Sequence, residues 1–293
     1  MYSRARSRIA GAAFLLPALV LIVFLTIFPI FYNIYLSLHR TKIRVGVIEY
    51  IYVGLRNFQR IFSDRLFAVA LLNTLYFMVA ASAIEVALGL GMALVLRSRF
   101  RGRDAVVGVM LIPMMLPTIV VTAFWKTLLH AEYGAINSIL ASLGLSPVNW
   151  LGDPLVAMPS IILVDVWQYT PFVFLLIYAG FHTVPREVVE AAMVDGAGPL
   201  QLLFSIELQY VKPHILVAML LRLIDTFRLF DKVYALTGGG PGLATESLTL
   251  MVYRQAFSYM RFGYGAALAL VMLAIISVVI AIYLKISGGG GLE

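Results

Sequence analysis

The stretch 9–38, IAGAAFLLPALVLIVFLTIFPIFYNIYLSL, carries no charged side chain, and the same is true of 105–125 and 262–284. About 20 apolar residues in a helix cross the roughly 30 Å hydrocarbon layer of a bilayer, so each run is long enough to span it. A soluble domain could not hide three such runs. Composition agrees: the 293 residues are 61% hydrophobic and only 13% charged, where soluble domains carry about 25% charge. The chain is read as an all-α, polytopic membrane protein.

Hydropathy places six spans near 9–38, 66–96, 105–129, 155–181, 213–236 and 262–285. The first begins with arginines like a signal peptide, but its apolar part is about twice a usual signal core, so it reads as a retained span. Residues 1–286 then form one transmembrane domain, and the tail 287–293, SGGGGLE, reads as a linker and cloning scar. Span two contains Glu85, which reads as a structural carboxylate with a partner, and span four contains Asp165. Span five has a short apolar part followed by Arg222, Asp225, Arg228, Asp231 and Lys232, so its polar face must be buried in protein or in a wet cavity. Trp125 and Lys126 read as membrane-interface anchors, and Asn137 as a residue that caps or turns an outer helix.

Basic clusters orient the chain. RARSR at 4–8 and RSRFRGR at 97–103 flank a pair of spans and should both be cytoplasmic, which also puts 182–212 and the C-terminus inside. Segments 39–67, 130–154 and 237–261 then lie outside. Against the rule, 39–67 carries Arg40, Lys42, Arg44, Arg56, Arg60 and Arg65. The net charge of +7 is distributed along such membrane flanks rather than gathered into a nucleic-acid surface.

Several chemistries are excluded. There is no cysteine, and His39, His130, His182 and His214 lie at no ligand spacing, so neither a metal set nor a catalytic constellation is expected. TGGGPG at 237–242 lacks the Lys-Ser/Thr of a phosphate loop, and Pro241 removes a backbone donor. If ATP drives this protein, another chain binds it.

Between spans four and five lies VPREVVEAAMVDGAGPLQLLFSIELQYVKP, 184–213. Pro185 starts a helix with Glu187 and Glu190 in its early turns, Ala191 and Ala192 leave a low face, and Gly196 permits a turn. Pro199 opens a second helix over 199–207, with Leu202, Leu203 and Ile206 as its apolar stripe. This helix–turn–helix is either a docking element or an amphipathic hairpin at the interface. In span four, Asp165, Gln168, Tyr169 and Phe172 share one helical face, and Pro171 removes one backbone hydrogen bond. In span five, Arg222, Asp225, Thr226 and Leu229 fall within an arc of about 100°, while Arg228, Asp231 and Lys232 point elsewhere. Hydroxyl-binding groups beside aromatic faces suit a sugar. Arg222 either pairs with Asp165 or meets an anionic group on the solute; alanine at Arg222 is expected to weaken uptake without affecting assembly.

Glu190-Ala191-Ala192, followed by Gly196 and Pro213, resembles the EAA loop of type I ATP-binding-cassette importer permeases. GLRNFQRIF (54–62), LLNTLYF (71–77), LIPMMLPTIV (111–120), YGAIN (133–137) and FDKVYALTGGGPG (230–242) extend the resemblance over nearly the whole chain, to the first permease subunit of maltose/trehalose-type sugar transporters. The resemblance implies a permease for a di- or oligosaccharide, or alternatively for a polyol or glycerol-phosphate-type solute, in a bacterial or archaeal cell membrane. It implies a second homologous permease, two cytoplasmic ATPase subunits that bind ATP and magnesium, and an external solute-binding protein. Glu190, Ala191, Ala192, Asp195 and Gly196 would couple to the ATPase. Met114, Thr118, Asp165, Gln168, Tyr169, Phe172, Arg222, Asp225, Thr226 and Leu229 would line the path. One departure is Gln209, where the pattern has a proline. A rival reading, an ion-coupled carrier, would use Asp165 and Glu85 as proton or sodium groups.

Overall fold

The computed structural model describes the backbone of residues 2–44, 47–98 and 100–288, and the side chains of 15–42, 47–98 and 100–288. The arginine side chains at 4–8, Arg44, Arg99 and the tail beyond 288 lie outside the described residues. In chain order the elements are α1 (Tyr2–Ser37), β1 (His39–Arg44), β2 (Val47–Tyr52), α2 (Arg56–Ser63) and α3 (Arg65–Leu96). Next come α4 (Arg103–Met115), α5 (Thr118–Leu128), α6 (Ala135–Ser142), α7 (Ala157–Phe181) and α8 (Arg186–Val194). A short α9 (Pro199–Leu202) runs through a π-helical turn (Leu203–Glu207) into α10 (Leu208–Phe227). After α11 (Asp231–Leu236) and α12 (Leu248–Tyr253), the chain ends in α13 (Phe262–Ser287).

Two compact units are present. The first comprises Met1–Asp64 and Val252–Leu273. The leucines, isoleucines and phenylalanines of α1 between 15 and 31 face outward, as expected of a helix that meets lipid. At its end Asn57 Nδ2 donates to the carbonyls of Ser37 (2.7 Å) and His39 (3.0 Å), tying α2 to the helix terminus. Segment 39–67, read from sequence as an outer loop, is a β-hairpin followed by α2, a departure from the all-α reading. The strands pair antiparallel from His39↔Tyr52 to Arg44↔Val47, and Val47, Ile48, Tyr50 and Ile51 supply the β-branched and aromatic residues that favour extended backbone. Thr41 Oγ1 accepts from the Gly263 amide at 3.2 Å, and a side chain at Gly263 would strike the His39 carbonyl.

The second unit comprises Arg65–Met251 and Ala274–Glu293. Its centre is α7, most of whose side chains are buried. Along α3, Phe67, Ala70, Thr74, Phe77, Ala81, Glu85, Gly89 and Ala93 are buried at three- and four-residue spacing, while Leu72, Val79 and Val95 face outward. Small residues let the helices approach closely. A Cβ at Gly89 would lie 2.8 Å from Val173 Cγ1 and 2.9 Å from the Phe174 nitrogen of α7. On the other side, one at Gly180 would lie 2.8 Å from the His214 ring of α10.

Two expected spans are broken. Residues 105–129 form α4 and α5, bent by 95° about Leu116–Pro117. Leu116 precedes proline and takes the extended conformation that this position favours, with ψ 137°. Residues 213–236 form the end of α10 and the separate α11, because the helix stops at Phe227. The Leu229 carbonyl exposed by this break accepts from Ser247 Oγ at 2.6 Å and from Thr249 Oγ1. Among the described residues four helices are long and apolar enough to cross a membrane, or five if the bent pair α4–α5 is one span. Helix α10, which carries Lys212, Arg222 and Asp225, is not among them.

The outer connections are tied by side chains. Asn137 is not a helix cap: it sits inside α6, donates to the carbonyls of Ala131 and Val148 at 2.9 Å, and accepts from the Val148 amide and Trp150 Nε1 at 3.0 Å. Trp125 is not an exposed anchor either, since it is buried in an edge-to-face pair with Trp167 at 5.7 Å. Lys126 donates to the Ala235 carbonyl at 3.1 Å.

Leucine at Gly89 should separate α3 from α7, at a cost of about 1–3 kcal/mol from overpacking. A lowered melting temperature of the purified chain, with Gly91→Leu on the open side of the helix near wild type, is the expected result.

Candidate functional site

One charged cluster joins α3, α7, α10 and α11. Arg222 of α10 is 1% exposed, and its three guanidinium nitrogens all reach carboxylates. Nε and Nη2 fork onto Glu85 of α3 at 2.5 and 3.0 Å, Nη2 also reaches Asp165 of α7 at 2.8 Å, and Nη1 reaches Asp225 at 2.6 Å. The other Asp165 oxygen accepts from Lys232 Nζ of α11 at 2.5 Å. Arg228, exposed, lies 3.4 Å from Asp225. Three carboxylates thus face three cations, which a low-dielectric site demands. The Tyr169 ring carries the Arg222 guanidinium carbon and the Lys232 nitrogen, each 4.4 Å from its centroid. Thr226 Oγ1 donates to the Arg222 carbonyl at 2.6 Å and contacts Ser82 Oγ at 3.2 Å.

Two cavities flank this network. One of about 300 Å³ is lined by Met114, Tyr169, Phe172, Arg222, Asp225 and Arg228, among others. A smaller one of about 70 Å³ includes Thr118, Asp165, Tyr169, Thr226, Leu229 and Lys232. Nine of the ten residues assigned from sequence to the path border one cavity or the other. Gln168 does not. It is fully buried and donates to the Leu116 carbonyl at 3.1 Å, so it props open the α4–α5 bend instead. Arg228 and Lys232, which helical periodicity sets off the Arg222–Leu229 face, join the network: Arg228 caps α10 beside Asp225, and the break after Phe227 lets α11 bring Lys232 to Asp165. Glu85 is held as a partner, as its sequence setting suggested, and the Arg222–Asp165 pair forms. What sequence could have supplied was the charge count: buried carboxylates on two spans need cations, and span five offers three, Arg222, Arg228 and Lys232.

The other assigned surface is the α8–α9 turn. Its C-terminus closes as a Schellman motif: the Ala197 amide bonds the Ala192 carbonyl at 2.9 Å and the Gly196 amide that of Met193 at 3.1 Å. Gly196 has φ +82°, the left-handed value this motif needs. Glu190, Ala191, Asp195 and Gly196 are exposed and Ala192 is half-buried. Met193, Val194, Leu200 and Phe204 also stand outward, an apolar surface around the turn. Arg97 pairs with Glu207 of the π-turn and stacks 5.9 Å over Phe181. Gln209 lies in the first turn of α10, so the second helix continues without a break into the next span, and Pro213 is taken up inside it.

Residues 85–287 match the family described as the binding-protein-dependent transport system inner membrane component. The chain belongs to this family. It is a membrane component of a transport system, not an enzyme. It is 39% identical, over 94% of its length and 92% of the relative's, to the trehalose/maltose transport system permease protein MalF of Thermococcus litoralis. The sulfoquinovosyl glycerol transport system permease protein SmoG of Agrobacterium fabrum is 33% identical over 95% of this chain and 90% of its own. Among solved structures, a chain of the bacterial alginate ABC transporter superposes with a TM-score of 0.84, covering 98% of this chain and 96% of that one, at 20% identity. That likeness establishes the shared fold.

Methionine at Arg222 strands the buried Glu85 and leaves Asp165 with Lys232 alone. Loss of one partner of such a network costs about 3–5 kcal/mol, so Arg222→Met should lower membrane yield and melting temperature, not uptake alone. Combining it with Glu85→Gln should restore part of the yield, because one stranded charge is removed.

Proposed function

We propose that the chain forms half of the translocation path of an ATP-binding-cassette importer for a sugar, a di- or oligosaccharide delivered by an external binding protein. The second half is a homologous permease, and two cytoplasmic ATPase subunits bind ATP and magnesium. In this reading the chain crosses the membrane six times in a bacterial or archaeal cell membrane, with α4–α5 as one broken span and α10 as the polar one. The N-terminus and the α8–α9 turn are cytoplasmic.

What supports the path is the cavity beside Tyr169. Its aromatic face, with Phe172 and Met114 around it, suits the C–H face of a pyranose, while Asp225 and Arg228 offer hydrogen-bonding groups at its rim. Glu85 and Asp165 are already neutralised by Arg222 and Lys232, which disfavours their use as proton or sodium carriers. What supports coupling is the exposed α8–α9 turn, covalently joined to α7 and α10, the two helices that carry the cavity residues. An ATPase cleft gripping Ala191, Ala192 and the Gly196 turn would pull on both helices at once, with Glu190 and Asp195 meeting polar or basic groups. The solute class is taken from the trehalose/maltose and sulfoquinovosyl glycerol relatives.

Proteoliposomes holding this chain alone should take up no labelled trehalose or maltose. Those holding it with the second permease, the ATPase and the binding protein should do so only with ATP; uptake by the lone chain would overturn the reading. Gly196→Pro forces a negative φ onto the left-handed turn. It should abolish binding-protein-stimulated ATP hydrolysis while the chain stays in the membrane, whereas unchanged stimulation would remove the turn from coupling.

A further inference from the structure

Three of the cations of 39–67 that run against the positive-inside rule, Arg40, Arg56 and Arg60, converge in the first unit. Arg40 of β1, Arg56 and Arg60 of α2, and Arg261 before α13 line one cavity of about 430 Å³, with Ile51 and Val53 also in its lining. None of the four lies within ion-pair distance of a carboxylate among the described residues. The pocket is built rather than incidental. Asn57 pins α2 to the end of α1, and Arg60 is held 5.1 Å over the Tyr264 ring, whose hydroxyl donates to Asp64 at 3.0 Å.

Its depth follows from the chain. Arg40 comes three residues after the last residue of α1, and Arg261 immediately precedes α13, both membrane-crossing by length and hydropathy. Three extended residues span about 10 Å, and each headgroup layer is roughly 5–8 Å deep. A tyrosine belt marks the same level: Tyr35 meets Tyr50 edge-on at 6.3 Å and stacks with Tyr32, while Tyr52 meets His39 at 5.4 Å. At that depth the abundant anion is a lipid phosphate, and the pocket's make-up fits it: guanidinium forks for phosphate oxygens, with Ile51 and Val53 in the lining as apolar contacts for the glycerol and first methylenes.

We propose that Arg40, Arg56, Arg60 and Arg261 bind the phosphate of an anionic phospholipid, holding a lipid against the base of the hairpin. On the topology above this is the outer leaflet, but the headgroup site depends only on both helices crossing the membrane. The excess of positive charge on that side is then a ligand site rather than an orientation signal.

The full-length chain in zwitterionic detergent, titrated with dioleoylphosphatidylglycerol and read by native mass spectrometry, tests this. Dioleoylglycerol and inorganic phosphate serve as the other probes. Phosphatidylglycerol should half-saturate the chain at about tenfold lower concentration than dioleoylglycerol, and R56Q/R60Q should abolish the preference. R56K/R60K should retain most of it, and R40Q/R261Q, away from α2, should lower it with an unchanged melting temperature. Equal uptake of both lipids by wild type, or equal phosphatidylglycerol uptake by R56Q/R60Q, overturns the proposal. Displacement by micromolar inorganic phosphate would make it a free-anion site, and normal lipid binding with lost capture of the external binding protein would make it an acidic-protein dock; either also overturns it.

Discussion

Arg222 holds the second unit together at the point where apolar packing alone would fail. A carboxylate at membrane depth is tolerated only beside a cation, and α3 and α7 each bring one there, Glu85 and Asp165. The guanidinium is the one side chain whose planar fork can serve three carboxylates at once, so lysine could not replace it. Lys232 supplies the charge that Arg222 cannot, and Tyr169 takes the face of both cations. The network thereby fixes the rotation of α3, α7 and α10 about their axes and draws α11 back beneath them.

That arrangement explains why cavities survive in an otherwise apolar bundle. At the α4–α5 bend, Gln168 of α7 bonds the Leu116 carbonyl next to Pro117. The stop after Phe227 opens the other side, and Ser247 and Thr249 satisfy the exposed carbonyl. Each break in a span is matched by a buried side chain from elsewhere, as backbone polar groups at membrane depth require. Close contact elsewhere, through Gly89 and Gly180, keeps α3, α7 and α10 a rigid frame around those gaps.

Much of this was legible in the residues. Hydropathy located α1, α3, α7 and α13, because length and hydropathy are local properties that lipid reads directly. The Gly196 turn and the apolar stripe of Leu203 with Leu202 and Ile206 also followed from spacing. The hairpin was hidden because the Lys and Arg that interrupt 39–67 mask its alternation. Gln168 shares a helical face with Asp165 yet meets the Leu116 carbonyl, because periodicity defines a face without saying which neighbour it meets. Lys232 was misassigned because a continuous helix was assumed where α10 ends and α11 begins.

Membrane class, helix number to within the polar span and the family relationship are therefore properties of the sequence itself, carried by local hydropathy and short motifs. Tertiary structure alone decided which charges neutralise which, where the spans break, and that four distant arginines share one pocket. These depend on long-range approach: Glu85 meets Arg222 across 137 positions, and no local pattern encodes such a distance. Its only trace in sequence is the requirement that buried charges sum to zero.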